Sequence, residues 1–232
     1  MEHLRTKQKF LSKVELPNPP AGDIKLNVYP FIHDGSKIQL PYQFKQYEDV
    51  LNQIMKSVPI QKDAQEHYVT IDSKFFTEED FLRREGVHID GNFCADPYFE
   101  GTTWGGTGTT WGGTKTTPDL KIHTKFVNEQ GLIPPIGTYV SDVLGGIITV
   151  SNEVGCQMWG GDFNGKVGDE GDFSSMEDQL TDDRKVILDK DEVWIMSSNT
   201  PHETLKIEQG KKRTFLRITL NHKYRNEKLF AA

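Results

Sequence analysis

The chain has 232 residues, a hydrophobic share of 35% and a formal net charge of -7, which allows one substantial core in a single domain. The acidic balance argues against a nucleic-acid backbone as the main partner, because such binding draws its affinity from clustered Lys and Arg. Two cysteines, Cys94 and Cys156, suggest no disulfide framework, no stretch reaches the roughly eighteen apolar residues of a membrane span, and the polar residues 1–9 lack the apolar run of a secretory signal, so a cytoplasmic protein is expected.

In chain order, residues 16–23 (Leu16-Pro17-Asn18-Pro19-Pro20-Ala21-Gly22-Asp23) form a turn-rich connector, and residues 24–31 read as a short strand ended at Pro30. Residues 43–58 place Phe44, Tyr47, Leu51, Ile54, Met55 and Val58 at three- and four-residue intervals between Pro41 and Pro59. That spacing predicts an amphipathic helix, structural in role or, as the alternative, a partner-binding groove helix. Residues 66–76 alternate weakly and are read as a strand. Thr77 followed by Glu78, Glu79 and Asp80 then resembles an N-cap with acidic residues in the first turn, so a short helix ending near Arg84 and Gly86 is expected.

Next comes Val87-His88-Ile89-Asp90. On a strand, residues i and i+2 share a face, so His88 and Asp90 can reach one metal ion without distorting the backbone. With a distal His202 they make a 2-His-1-carboxylate set, the ligands of a facial triad with open positions. Cys94 follows closely and reads as a small buried hydrophobe. Beyond it, Gly101-Thr102-Thr103-Trp104-Gly105-Gly106-Thr107 repeats as Gly108-Thr109-Thr110-Trp111-Gly112-Gly113-Thr114, with a degenerate copy starting at Lys115. This Gly/Thr/Trp-rich insertion, residues 101–117, has two readings of equal weight. One is a mobile lid that brings Trp104 or Trp111 over a substrate, and the other is a passive loop.

Residues 144–150 and 155–160 read as core strands, with Met158 and Trp159 in the core or a pocket wall. Residues 162–183, rich in acidic residues and glycine, read as an exposed loop, and the EF-hand order of a calcium site is absent from them. Residues 185–188 and 192–197 are strands joined by a turn at Asp189-Lys190-Asp191. His202 opens another, with Thr204 on its own face and Leu205 and Ile207 at the opposite parity. The last strand, residues 211–221, puts Leu216, Ile218 and Leu220 on one face and Arg213, Phe215, Arg217 and Thr219 on the other. An arginine opposite an aliphatic face must meet water or a buried anion, since burying it unpaired is too costly.

H-x-D, a distal His and then Arg-x-Thr where many members have Arg-x-Ser resemble the Fe(II)/2-oxoglutarate-dependent dioxygenases, over about residues 81–220. The resemblance implies a mainly β protein with flanking helices and a double-stranded β-helix (jelly-roll, cupin-like) core. On that pattern residues 1–76 would be N-terminal helix and strand support, and residues 77–221 the core. It implies Fe(II) on His88, Asp90 and His202, with 2-oxoglutarate as cosubstrate and ascorbate as reductant. It also implies hydroxylation of an unactivated C–H bond, with release of succinate and CO2. Arg213 and Arg217 both stand at spacings that members use for the cosubstrate carboxylate. They lie about 13 Å apart by strand rise, so one small 2-oxo acid will not be held equally by both. Arg217 with Thr219 beside it is favoured for the cosubstrate, and Arg213 for solvent or an acidic group of the substrate.

Two other classes stay open: a different metal-binding cupin (oxygenase or isomerase), and a non-catalytic jelly-roll binding module. His3, His33, His67, His123 and His222 have no partner at metal-ligand spacing in the sequence. Walker A, strand-to-helix G-x-G-x-x-G, G-x-S-x-G and C-x-x-C patterns are absent, which removes nucleotide, Rossmann, serine-hydrolase and zinc-ribbon readings. The expected partner is a small-molecule or peptidyl substrate, with neither nucleic acid nor membrane.

Overall fold

The computed structural model describes residues 2–61, 66–90, 144–168, 171–225 and 227–230. The protein is mainly β. Its largest sheet is antiparallel, six-stranded and ordered β2-β10-β6-β13-β4-β3, built from β2 (Gln8–Lys13), β3 (Ile24–Ile32), β4 (Glu66–Phe75), β6 (Leu144–Ser151), β10 (Glu192–Met196) and β13 (Lys212–Arg225). A three-stranded antiparallel sheet, ordered β11-β7-β9, comprises β7 (Cys156–Trp159), β9 (Lys185–Leu188) and β11 (His202–Thr204). Two small ribbons complete the strands, β1 (Glu2–Arg5) with β8 (Asp162–Gly165) and β5 (Asp80–Phe81) with β12 (Lys206–Ile207). No helix among the described residues is long and apolar enough to cross a membrane.

Alternation along β13 divides the molecule. Leu216, Ile218 and Leu220 face one way and join Val69, Ile71, Ile148, Val150, Val193 and Ile195 from the neighbouring strands. The segment read as one amphipathic helix covers that face as a 3-10 turn, Tyr42–Tyr47, running into α1 (Glu48–Met55). All six of its anchor positions, Phe44 through Val58, are buried in the same cluster. Each such large apolar side chain contributes roughly 1.5–3 kcal/mol by leaving water, so this cluster is the main source of stability. The opposite face of the big sheet meets the three-stranded sheet, where Ile147 and Met196 pack on Met158 and Leu188.

The structure corrects four expectations. Residues 77–84 form no helix. Asp80 and Phe81 pair instead with Ile207 and Lys206, because one isolated turn cannot offset helix nucleation when a strand partner is at hand. The strand at residues 24–31 runs on through Pro30 to Ile32, which an outermost strand tolerates since a proline there leaves no ladder bond unmade. The N-terminal residues 1–9, read only as polar, provide β1 and the start of β2, an edge strand of the six-stranded sheet. Residues 162–183 are not simply an exposed loop either. Phe163, Val167, Phe173 and Met176 bury themselves with Leu4, Ile89 and Trp159 in a second cluster, an outcome hidden by the surrounding acidic residues.

Candidate metal centre

The H-x-D segment is held less by regular strand than by one reciprocal pair. The His88 N–H donates to the His202 carbonyl at 3.0 Å, and the His202 N–H donates to the His88 carbonyl at 2.9 Å. On the other side the Ile89 N–H donates to Gly171 O at 2.9 Å, and the Phe173 N–H donates to Val87 O at 3.2 Å. This extended backbone gives the expected alternation. Ile89 enters the second apolar cluster, while His88 and Asp90 turn into a cavity that His202 also lines.

One potential ligand atom from each of His88, Asp90 and His202 lies within 4.8 Å of the others, and all three residues are buried. Each imidazole is oriented from behind: His88 Nδ1 lies 2.8 Å from Gly86 O and His202 Nδ1 lies 2.9 Å from Thr200 O. A carbonyl can only accept, so both Nδ1 atoms carry the proton and both Nε2 atoms present a lone pair, as a metal-binding imidazole must. Burial pushes His88 down to about 3, and the neighbouring His202 adds to this, which keeps the ring neutral. For Asp90 burial acts upward, but the Arg217 charge outweighs it and holds the carboxyl ionised, well below the usual range. Two neutral nitrogens and one carboxylate oxygen fit a divalent ion of the Fe(II) or Zn(II) kind.

Arg217 is part of this centre. Its Nη2 lies 2.8 Å from Asp90 Oδ2, an oxygen that is also 3.3 Å from His202 Nε2. Burial lowers Arg217 to about 10 against the upward pull of Asp90, so it remains charged at neutral pH. Arg213 shares the strand face but lies behind the cavity wall: it is fully buried, its Nε donates to Ser151 Oγ at 2.9 Å and its Nη2 to Cys156 Sγ at 3.1 Å. Gly155 makes room for it, since a Cβ there would fall 2.5 Å from the Arg213 Cζ.

Thr219, read as the hydroxyl beside Arg217, is half-buried between Tyr68 and Ile147 in the ladder and is not one of the cavity-lining residues. Thr149 takes that place. It pairs directly with Arg217 across β6 and β13, lines the cavity, and its buried Oγ1 has no hydrogen-bond partner among the described residues. A polar residue between Ile147 and Ser151 on one face of an otherwise apolar strand was the available signal. Arg83 also lines the cavity; it sits in irregular chain after β5, where no periodicity could have singled it out. Trp104, Trp111, the rest of the repeat and Cys94 lie outside the described residues.

No family model, curated protein or solved structure matches the chain, so the functional reading stands on the chemistry of these residues.

Proposed function

We propose that the protein is an Fe(II)- and 2-oxoglutarate-dependent dioxygenase built on a double-stranded β-helix, hydroxylating a C–H bond of a small molecule or peptidyl side chain in the cytoplasm. The observation that carries this reading is the buried convergence of His88, Asp90 and His202 next to a cavity-facing arginine on the strand that follows the distal histidine. When bound, the metal and cosubstrate would supply the oxidation: O2 and 2-oxoglutarate are consumed, one oxygen atom enters the substrate C–H bond, and the other leaves in succinate alongside CO2.

The chain's own residues do the rest. His88, Asp90 and His202 would hold the ion by one face, the backbone carbonyls of Gly86 and Thr200 fixing both rings. Arg217 would bind the distal carboxylate of the cosubstrate, with Thr149 adding a hydroxyl on the adjacent strand. Its contact with Asp90 ties the orientation of the carboxylate ligand to the cosubstrate site. Ile147, Met158, Leu188 and Met196 keep that part of the cavity apolar and exclude water.

A second reading is favoured by one observation. Asp90 already has a guanidinium partner, so the centre is electrostatically balanced as a plain polar core, as in a non-catalytic binding module. Anaerobic addition of Fe(II) and 2-oxoglutarate separates the two. The dioxygenase gives the weak visible charge-transfer band of a chelated 2-oxo acid, lost in Asp90→Ala, and forms succinate when O2 is admitted. Absence of both the band and metal uptake would leave the binding-module reading.

A further inference from the structure

We propose that Cys156 is a peroxide-reactive thiol, oxidised by hydrogen peroxide to a sulfenic acid whose oxygen the Arg213 guanidinium receives. Cys156 is a free cysteine, half-buried, and it lines the cavity of the metal centre, so a small oxidant that enters the cavity meets its sulfur. It opens β7 and stands opposite Thr204, on the strand that His202 begins. The inference goes beyond the dioxygenase reading and does not depend on it, since every group it uses belongs to the chain.

A cysteine reacts readily where positive charge stands beside its sulfur and the site is partly open. Both conditions are met. Arg213, fully buried, donates from Nη2 to Cys156 Sγ at 3.1 Å and from Nε to Ser151 Oγ at 2.9 Å, so two bonds fix the plane of its guanidinium against the sulfur. Gly155 permits this approach, because a Cβ there would fall 2.5 Å from Arg213 Cζ and 2.8 Å from its Nη1. Arg83 and Arg217 line the same cavity within electrostatic reach of Cys156, each with an anionic partner of its own in Asp72 and Asp90.

Two orphaned polar atoms point to the incoming oxygen. Arg213 Nη1 is buried and has no hydrogen-bond partner among the described residues, a costly state for a guanidinium N–H. It belongs to the group that already touches the sulfur, so an oxygen added to Sγ comes within its reach. Thr149 Oγ1, also buried and without a partner, lines the same cavity and offers a polar contact to peroxide among apolar side chains. In the reaction a sulfur lone pair attacks one peroxide oxygen, and the S–O bond forms as the O–O bond breaks. The sulfur gives up two electrons, and the second oxygen leaves as water after taking up the thiol proton. The product places an extra oxygen on the cavity wall.

The test uses the full chain with Cys94→Ser, in which Cys156 is the one thiol, treated with hydrogen peroxide in the presence of a chelator that removes iron. Sulfenic acid is trapped with dimedone and mapped by mass spectrometry, and its rate of formation is compared with that of the same chain unfolded in urea. Folded Cys156 should react about tenfold faster or more than the unfolded reference, even though folding half-buries it. Arg213→Gln should abolish that advantage. Gly155→Ala should also diminish it with the arginine retained, because the added Cβ displaces the guanidinium, and this variant decides the matter if Arg213→Gln does not fold, as far-UV circular dichroism will report. A folded chain that reacts no faster than the unfolded one overturns the proposal. Wild-type reactivity in a folded Arg213→Gln or Gly155→Ala variant overturns it as well, since the sulfur would then owe nothing to Arg213.

Discussion

His88 and His202 exchange both of their backbone hydrogen bonds, at 3.0 and 2.9 Å, and their rings stand 4.7 Å apart. Two residues far apart in sequence are thus placed directly opposite each other, as a hydrogen-bonded antiparallel pair, by main chain alone. The ligand geometry is consequently present before any ion arrives. Replacing His88 by Ala keeps the backbone pair and removes only the imidazole. We expect His88→Ala to fold, and to lose more metal affinity than the roughly 10- to 100-fold typical of an outer-shell partner. Isothermal titration with Zn(II) and far-UV circular dichroism check this, and an unchanged affinity would exclude His88 as a ligand.

The outer frame of this centre was legible in the sequence, and its inner wall only partly. Period-two alternation in β13 separated Leu216, Ile218 and Leu220 from Arg213, Phe215 and Arg217, and the sheet preserves that division. Alternation cannot say which of two arginines on one face reaches a cavity. Arg213 is drawn behind the wall by Ser151 on β6 and Cys156 on β7. Thr219 gives way to Thr149 for the same reason, since cross-strand neighbours are invisible along a single strand. Residues 162–183 misled because composition registers their acidic residues equally whether Phe173 and Met176 point inward or out.

Gly171 is the least obvious requirement. It has φ +83, and a Cβ at that position would stand 2.3 Å from the Ile89 carbonyl oxygen. The neighbouring atom is backbone, in the middle of the H-x-D segment, so no side-chain rotation relieves the clash. Gly171→Ala should therefore both strain a left-handed residue and push Ile89 away. We expect a loss of at least about 1–3 kcal/mol together with weakened Zn(II) binding, measured by urea denaturation and titration. A variant with wild-type stability and affinity would show that this packing does not position the ligands.

His67 governs a different property. Burial, reinforced by the nearby His33, pushes it down to about 4, and its Nδ1 accepts the Asn221 N–H at 3.0 Å. Unfolded histidine titrates near 6.5. Between these values the unfolded chain binds a proton that the folded chain refuses, so the contribution is complete above pH 6.5 and falls as the pH drops toward 4. It is constant below that. The whole loss is roughly 3 kcal/mol. Carboxylates titrate in the same window, so the comparison must be with His67→Gln, which retains an acceptor. Urea midpoints should converge for the two proteins at low pH, and a constant gap from pH 7 to 4 would refute the assignment.

Arg217 and Asp90 provide the sharpest test of how the centre is held together. Removing the guanidinium leaves a buried carboxylate without its 2.8 Å partner, and breaking a buried pair in this way costs about 3–5 kcal/mol. Metal-free Arg217→Ala should accordingly melt well below wild type. Removing both charges, as in Arg217→Ala with Asp90→Asn, should recover part of that loss, because no uncompensated ion remains. Zn(II) offers a second route to recovery: a divalent ion at His88, Asp90 and His202 neutralises the carboxylate, so the single variant should gain more thermal stability from Zn(II) than wild type does. The same variant should also raise the 2-oxoglutarate KM by well over tenfold, because a charge-assisted contact is worth about 1.5–3 kcal/mol. Arg213→Ala serves as the contrast, with the larger KM effect expected from Arg217. If Arg213→Ala carries the larger KM effect, the two arginines exchange roles. If metal-free Arg217→Ala is as stable as wild type, the ion pair does not hold the centre and Asp90 must be compensated by another group.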